Sequence, residues 1–184
     1  MSYVRSFAPW IAYAVVSSFT DWRVASFVAL VVAARGIRDQ RREYGDVDDL
    51  TLMTKWFFAG LAFLAVVEPG SPLHRYTPAL SLAALGGAAL VSLARRRPFT
   101  LTIAKRTAPR ELWNTKVFYD ANVTITSVWA ARFLATAAVC ATVLTAAPHA
   151  TALWIAAEVL GFVIPVRFTA IYRERLRVRF AAAA

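Results

Sequence analysis

The feature that most constrains this chain is the arrangement of its apolar residues in long blocks separated by clusters of charge. The blocks cover residues 7–34, 50–67, 76–94, 117–146 and 152–172. An apolar stretch of about 18 or more residues is long enough to cross a bilayer as a helix. A soluble domain would instead show apolar stripes at helical spacing, and 59% hydrophobic content exceeds what it normally carries. The blocks predict an all-α, polytopic membrane helix bundle of five or six helical segments, forming one domain over residues 1–184.

The first block, residues 7–34, is interrupted by the polar residues Thr20, Asp21 and Arg23. As one straight helix it would be roughly 42 Å long, which exceeds the ~30 Å hydrocarbon core. As two helices, each half would be only about 20 Å long. We therefore expect a bent pair or a re-entrant hairpin with Asp21 and Arg23 near its tip, shielded from lipid by protein or water.

The distribution of Lys and Arg predicts the orientation. Residues 35–49, expected to form a mixed-charge loop, hold four, residues 95–116 hold seven, and the tail that starts at Arg173 holds four. The alternate connections hold one (Arg75) and none. Because cytoplasmic loops are enriched in Lys and Arg, the three basic segments and the C-terminus are expected in the cytoplasm. The terminal alanines, 181–184, are expected to form a frayed tail.

Charge and composition narrow the partners. In a soluble protein, a net charge of +10 would suggest nucleic-acid binding. Here the charged residues flank apolar blocks, which favours binding to anionic lipid headgroups instead. The excess of Arg over Lys and the many alanines are typical of a GC-rich bacterial genome. Cys140 is the single cysteine, which rules out an internal disulfide. We expect no cofactor, and no metal site from His74 and His149.

Charged residues inside apolar blocks are candidate functional groups, because a charge in lipid needs a partner or water. Arg132 lies near the middle of the block 117–146, and Glu158 lies about 9 Å, six residues, into the next block. Together with Asp21 they form a candidate intramembrane polar site for a substrate or a proton. The alternative is a structural ion pair between two antiparallel helices. The sequence contains none of the known short catalytic motifs.

Residues 95–116, which we call the basic segment, are the most distinctive polar stretch. Apolar side chains, among them Phe99, Leu101, Ile103 and Trp113, interleave there with cations. Pro109 suits the start of a short helix. We expect this segment to lie on the cytoplasmic membrane surface with its apolar groups dipping inwards. The candidate headgroup contacts are Arg95, Arg96, Arg97, Lys105, Arg106, Arg110 and Trp113. The alternative is a charge cluster that only sets topology.

Several motif positions carry a family resemblance. They are Pro9 within Ala8–Tyr13, Asp21-Trp22, Arg97-Pro98, Pro109-x-x-Leu112-Trp113, and then Asn122, Trp129 and Phe133. With these positions the chain resembles the bacterial intracellular septation protein A family and related uncharacterised inner-membrane proteins, over most of its length. It departs from that pattern in the longer gaps on either side of Asn122. The resemblance implies a multi-pass protein of the bacterial inner (plasma) membrane that serves envelope maintenance and cell division, without an established catalytic reaction.

Three functional hypotheses follow. The first is a non-enzymatic protein of cell-envelope or septation type that acts through contacts with lipids and other envelope or division proteins, as a monomer or a homo-oligomer. The second is a small-solute or ion transporter or channel component with an Arg132/Glu158 polar site. The third is a lipid-phosphate-handling enzyme, which needs paired carboxylates near the basic segment, where Glu111 and Asp120 are available.

Overall fold

A computed structural model describes residues 2–147 and 149–181, and all regular structure in these ranges is helical. Two short 3₁₀ helices, Pro72–Tyr76 and Arg110–Leu112, accompany seven α-helices. The α-helices are α1 Ser2–Phe19, α2 Trp22–Tyr44, α3 Asp49–Val67, α4 Thr77–Ala94, α5 Phe99–Lys105, α6 Lys116–Ala146 and α7 Thr151–Ala181. The prediction of an all-α helix bundle is confirmed. Pro148, in the predicted turn at 147–149, and residues 182–184 of the alanine run lie outside the described residues.

Four helical stretches have the length and apolar composition needed to cross a bilayer. They are Asp49–Val67, Pro72–Ala94, Lys116–Ala146 and Thr151–Arg177. They coincide with the last four apolar blocks of the sequence. The structure differs at two places, since residues 35–44, expected as loop, continue α2, and the basic tail after residue 172 continues α7. Charged residues with long side chains are good helix formers, so helix continues until Gly45 ends α2 at a left-handed φ of 71°.

The first apolar block is broken into a helical hairpin, as expected. Asp21 caps α2 by accepting a hydrogen bond from the backbone N–H of Arg23 at 3.0 Å. The ring of Trp22 stacks on His74, with centroids 5.3 Å apart, so the hairpin tip lies beside the connection between α3 and α4. Because α1 and α2 are antiparallel, α1 starts at the end of the bundle where α2 meets α3. We call that end, which also carries residues 95–115 and the end of α7, the basic end.

Helices pack on their neighbours in the chain, and α4 also packs extensively on α6; small residues set the closest approaches. α4 lies against α6 so tightly that a Cβ on Gly86 would be 2.7 Å from Cγ of Leu134. α6 and α7 approach in the same way, since a Cβ on Gly161 would be 2.9 Å from the Thr136 side chain. The close approach of α4 depends on Gly86 and not on its neighbour Gly87, because a Cβ on Gly87 would face open space.

Many large apolar side chains face outwards, which suits a bilayer as the surrounding solvent. In the apolar stretch of α7 only 17% is buried inside the bundle, compared with 39–44% in the other three spanning stretches. Val159, Val163 and Val166 of α7 are each more than 40% exposed. Among the four spanning stretches α7 is therefore the most peripheral, and its outer face is available to lipid.

Candidate membrane-surface site

The two charges predicted to meet inside the membrane lie apart. The contact between Thr136 and Gly161 fixes the register of α6 against α7. Arg132 is four residues from Thr136 towards the basic end, and Glu158 is three residues from Gly161 in the opposite direction. They are therefore separated by roughly 10 Å along the helix axes. Within the described residues no ion pair joins them, so the alternative of a direct structural ion pair between the two helices is not observed.

Arg132 itself is unusual in its surroundings. Its Nε is buried and has no hydrogen-bond partner among the described residues. The register places it level with Pro165 of α7, whose carbonyl accepts from the hydroxyl of Thr169 at 2.7 Å. A guanidinium nitrogen without a partner inside a membrane helix pair is costly, and such groups are usually functional.

Asp21 pairs with neither Arg132 nor Glu158. It lies at the tip of the α1–α2 hairpin, at the far end from the basic segment, and forms an ion pair with Arg23 there. The hydrogen bonds from Arg23 hold the pKa of the Asp21 carboxyl below its usual value. Its geometry is that of an exposed helix cap, and the predicted three-residue polar site is not assembled.

The basic segment begins where α4 ends in a Schellman motif. The N–H of Arg97 donates to the carbonyl of Ser92, and the N–H of Arg96 donates to that of Leu93, both at 2.9 Å. Arg96 holds the left-handed position of this motif, with φ 54°, which glycine normally occupies. Arg95, Arg96 and Arg97 are all exposed. The end of α4 thus displays three guanidinium groups in a fixed turn.

The residues after this turn fold into the protein instead of into lipid. Phe99 and Ile103 of α5 are 6% and 2% exposed and pack in the core formed with α6. The hydroxyl of Thr100 lies 2.9 Å from that of Thr126 and donates to the carbonyl of Asn122 at 3.1 Å. The expectation that Phe99 and Ile103 dip into the membrane is therefore corrected. Their burial anchors the segment on α6.

Trp113 closes the second half of the segment. Its indole N–H donates to the carbonyl of Ala108 at 3.1 Å. Lys105 and Arg110 place their cations 5.5 and 5.8 Å from its ring centroid. The half-buried indole thus holds the turn that follows Pro109, and two candidate headgroup cations stay beside it.

Arg106 was also expected to contact lipid headgroups. Its side chain instead points into the protein. The side chain is 9% exposed, and its Nη1 lies 3.6 Å from Oδ2 of Asp48. Its guanidinium lies 4.1 Å from the ring centroid of Tyr44 and 3.4 Å from Oε1 of Gln40. The buried carboxylate of Asp48 requires a cation nearby, and Arg106 supplies it.

Asp48 is the centre of a buried polar network that sequence reasoning missed. Its Oδ1 accepts from the N–H of Thr51 at 2.8 Å, and its Oδ2 accepts from Nε2 of Gln40 at 2.7 Å. The side-chain oxygen of Gln40 in turn accepts from the N–H of Asp48 at 3.0 Å. Asp48 preceding an apolar block is a recognisable helix cap. Nothing in the sequence pointed to Gln40, because its burial comes from the unexpected extension of α2.

The network borders a cleft of about 690 Å³ between α1, α2 and the basic segment. Pro9, Gly36, Gln40 and Thr51 contribute to its lining. The charged lining residues are Arg35, Asp39, Arg42, Glu43 and Arg106. Since cations and carboxylates alternate there, the cleft is polar without being a dedicated anion site.

The family-like positions lie at structural joints. Pro9 and Pro98 are buried, and Pro109 starts the turn before Arg110–Leu112. Asn122 donates through its side chain to the carbonyl of Phe118. Trp129 is buried, and its indole N–H donates to Thr169 Oγ1 at 3.1 Å. Trp129 thus connects α6 with α7, whereas the side-chain bond of Asn122 stays within α6.

The two carboxylates named for a lipid-phosphate-handling enzyme lie on different elements of the fold. Asp120 pairs with Lys116 on the exposed side of α6, and Glu111 lies in the exposed turn Arg110–Leu112. Among the described residues, no three His, Cys, Asp or Glu side chains lie close enough together to hold a metal ion.

Comparison with known proteins adds no relative. No family model, no curated protein and no solved structure matches this chain. The resemblance to the septation protein A family therefore stays a prediction from the residues that carry it.

Proposed function

We propose that this chain is a non-enzymatic protein of the bacterial inner membrane that serves envelope or septum assembly through contacts with anionic lipid and other envelope proteins. The observation that carries the proposal is the folding of residues 95–116 onto the bundle. Arg95, Arg96 and Arg97 are exposed in a fixed turn, and Lys105 and Arg110 flank Trp113. We call these five cations and the indole the basic face.

A rigid basic face suits binding to a membrane surface or to an acidic partner. Each cation near an anionic surface contributes about 1 kcal/mol to binding. Side chains already held in place lose less entropy on binding than those of a flexible loop. The left-handed backbone at Arg96 supports the same role, because strain at a residue that is not glycine is often retained for function. With the basic end in the cytoplasm, as the loop charges predict, this face meets the inner leaflet.

The test is complementation in the native host after deletion of the gene. We expect the Arg95→Gln/Arg96→Gln/Arg97→Gln variant to reach the membrane but to leave the deletion defect in cell length or septum placement uncorrected. The matched control is Arg38→Gln/Arg41→Gln/Arg175→Gln, which removes the same charge from exposed positions at the same end. A deletion strain with normal division and envelope integrity would overturn the proposal.

A second candidate function is a component of a small-solute or ion transporter, and one observation favours it. The buried Nε of Arg132 has no partner in the described part of the chain, so a bound anion is a chemically suitable ligand. Flux of chloride or another small anion into proteoliposomes would test this. Transport should fall with Arg132→Leu and persist with Arg132→Lys. Equal flux in empty liposomes and in proteoliposomes would exclude it.

A further inference from the structure

A second cleft, of about 470 Å³, lies at the basic end between the second half of the basic segment, the start of α6 and the end of α7. Most of its wall is apolar. Its larger apolar side chains are Leu112, Val117, Phe118, Ile125 and Leu176. Such a wall, near the boundary of a membrane, matches hydrocarbon and not a water-soluble ligand.

The charged lining of this cleft is entirely positive. Arg173 and Arg177 of α7 line it, and no Asp or Glu is among its described lining residues, whereas Asp39 and Glu43 line the larger cleft. Arg173 is half-buried and makes no hydrogen bond or ion pair within the described ranges. Arg177 lies 3.8 Å from Glu174 in an exposed pair, which is a weak interaction. Both guanidinium groups are thus available to an anion.

The start of α6 adds to the positive potential. Thr115 caps the helix by accepting from the N–H of Phe118, and Thr115, Val117 and Phe118 all line the cleft. The N-terminus of a helix carries a partial positive charge that favours a nearby anion. Arginines from α7 and the first turn of α6 therefore border the same space.

We propose that this cleft binds one anionic phospholipid, with its phosphate at Arg173 and Arg177 and an acyl chain along the apolar wall. A free phosphate would leave the wall without a partner, and a lipid without net charge would leave the positive lining uncompensated. Basic pockets between membrane helices at the cytoplasmic side are typical sites for anionic headgroups. The proposal rests on the proposed location of the basic end at the inner leaflet, but it does not depend on the role in envelope assembly.

The test is lipid binding to the full chain purified in mild detergent, measured by native mass spectrometry with phosphatidylglycerol as the probe. We expect Arg173→Gln to weaken binding about fivefold and Arg173→Gln/Arg177→Gln to weaken it about thirtyfold. Arg175→Gln is the matched control, because Arg175 is exposed on the same helix and does not line the cleft. It should bind like the unaltered protein.

Two comparisons on the unaltered protein need no variant. Phosphatidylglycerol should bind at least tenfold more tightly than phosphatidylcholine, and inorganic phosphate should not displace it. Equal binding of both lipids, displacement by phosphate, or equal weakening by Arg175→Gln would overturn the proposal. The Arg95→Gln/Arg96→Gln/Arg97→Gln variant separates the two proposals, since it should keep the bound lipid even where it fails to complement division.

Discussion

The basic end and the middle of the bundle are held together by different interactions. At the basic end, Asp48, Gln40 and Arg106 join α2, α3 and the segment after α5 through a buried charged network. In the middle, α4, α6 and α7 meet through Gly86, Gly161 and neutral hydrogen bonds, while Arg132 and Glu158 stay apart. Charge is used for attachment where water and headgroups are close, and close backbone approach is used where lipid surrounds the helices.

The difference shows that a charge in an apolar block is a poor guide to where charges pair. Asp48 is paired because folding places α2 and Arg106 over it, and its side chain is fully buried as a result. Arg132 has no ion-pair partner among the described residues, because the register of α6 on α7 places Glu158 further from the basic end. Pairing therefore depends on tertiary register more than on the hydropathy of the surrounding sequence.

The largest effect that would break this comparison is the loss of Asp48. Asp48→Ala removes the cap of α3 and the buried carboxylate that Gln40 and Arg106 contact. We expect a loss of about 3–5 kcal/mol in the free energy of unfolding, measured by SDS titration in mixed micelles with circular dichroism. Asp49→Ala is the control, because Asp49 is the exposed neighbour of Asp48. Similar losses in both variants would show that the network contributes little.

A second change tests the middle of the bundle. Gly86→Ala should lower the free energy of unfolding by about 1–3 kcal/mol, since its Cβ would overlap Leu134. Gly87→Ala should be neutral or stabilising by up to about 1 kcal/mol, because its Cβ meets open space and alanine favours helix. The same titration measures both variants. If Gly87→Ala were the more destabilising of the two, the α4–α6 packing described above would be wrong.

A smaller effect, of opposite sign, is expected at the fixed turn of the basic face. Arg96→Gly should raise the free energy of unfolding by about 0.5–1 kcal/mol, because glycine adopts a positive φ without strain. Arg95→Gly should lower it by a similar amount, since Arg95 has an ordinary φ of −78°. Thermal unfolding of the two variants in detergent gives the comparison. Destabilisation by Arg96→Gly would mean that its side chain, and not its backbone, determines stability there.

The sequence predicted the parts of this fold that depend on local pattern. Block length gave the last four spanning stretches, and the polar break at Thr20 and Asp21 gave the hairpin. It did not predict the buried network, because Gln40 and Arg106 are 66 residues apart and meet only through tertiary packing. For the same reason Phe99 was expected in lipid, although α6 offers it a buried site. Neither the spacing of apolar residues nor a count of charges contains information on such tertiary contacts.

The smallest expected effect is the coupling between Arg132 and Glu158, measured by a double-mutant cycle. Arg132→Met and Glu158→Gln should change the free energy of unfolding additively, with a coupling energy below about 0.5 kcal/mol, as for groups that do not touch. The reference cycle uses Asp48→Ala and Arg106→Met, because the side chains of Asp48 and Arg106 are in contact. It should give a coupling energy of about 1–3 kcal/mol. A coupling at Arg132/Glu158 as large as in the reference cycle would mean that the two charges meet in the membrane. In that event the register of α6 against α7 at Gly161 would need revision, and the intramembrane pair would regain its place as a candidate site.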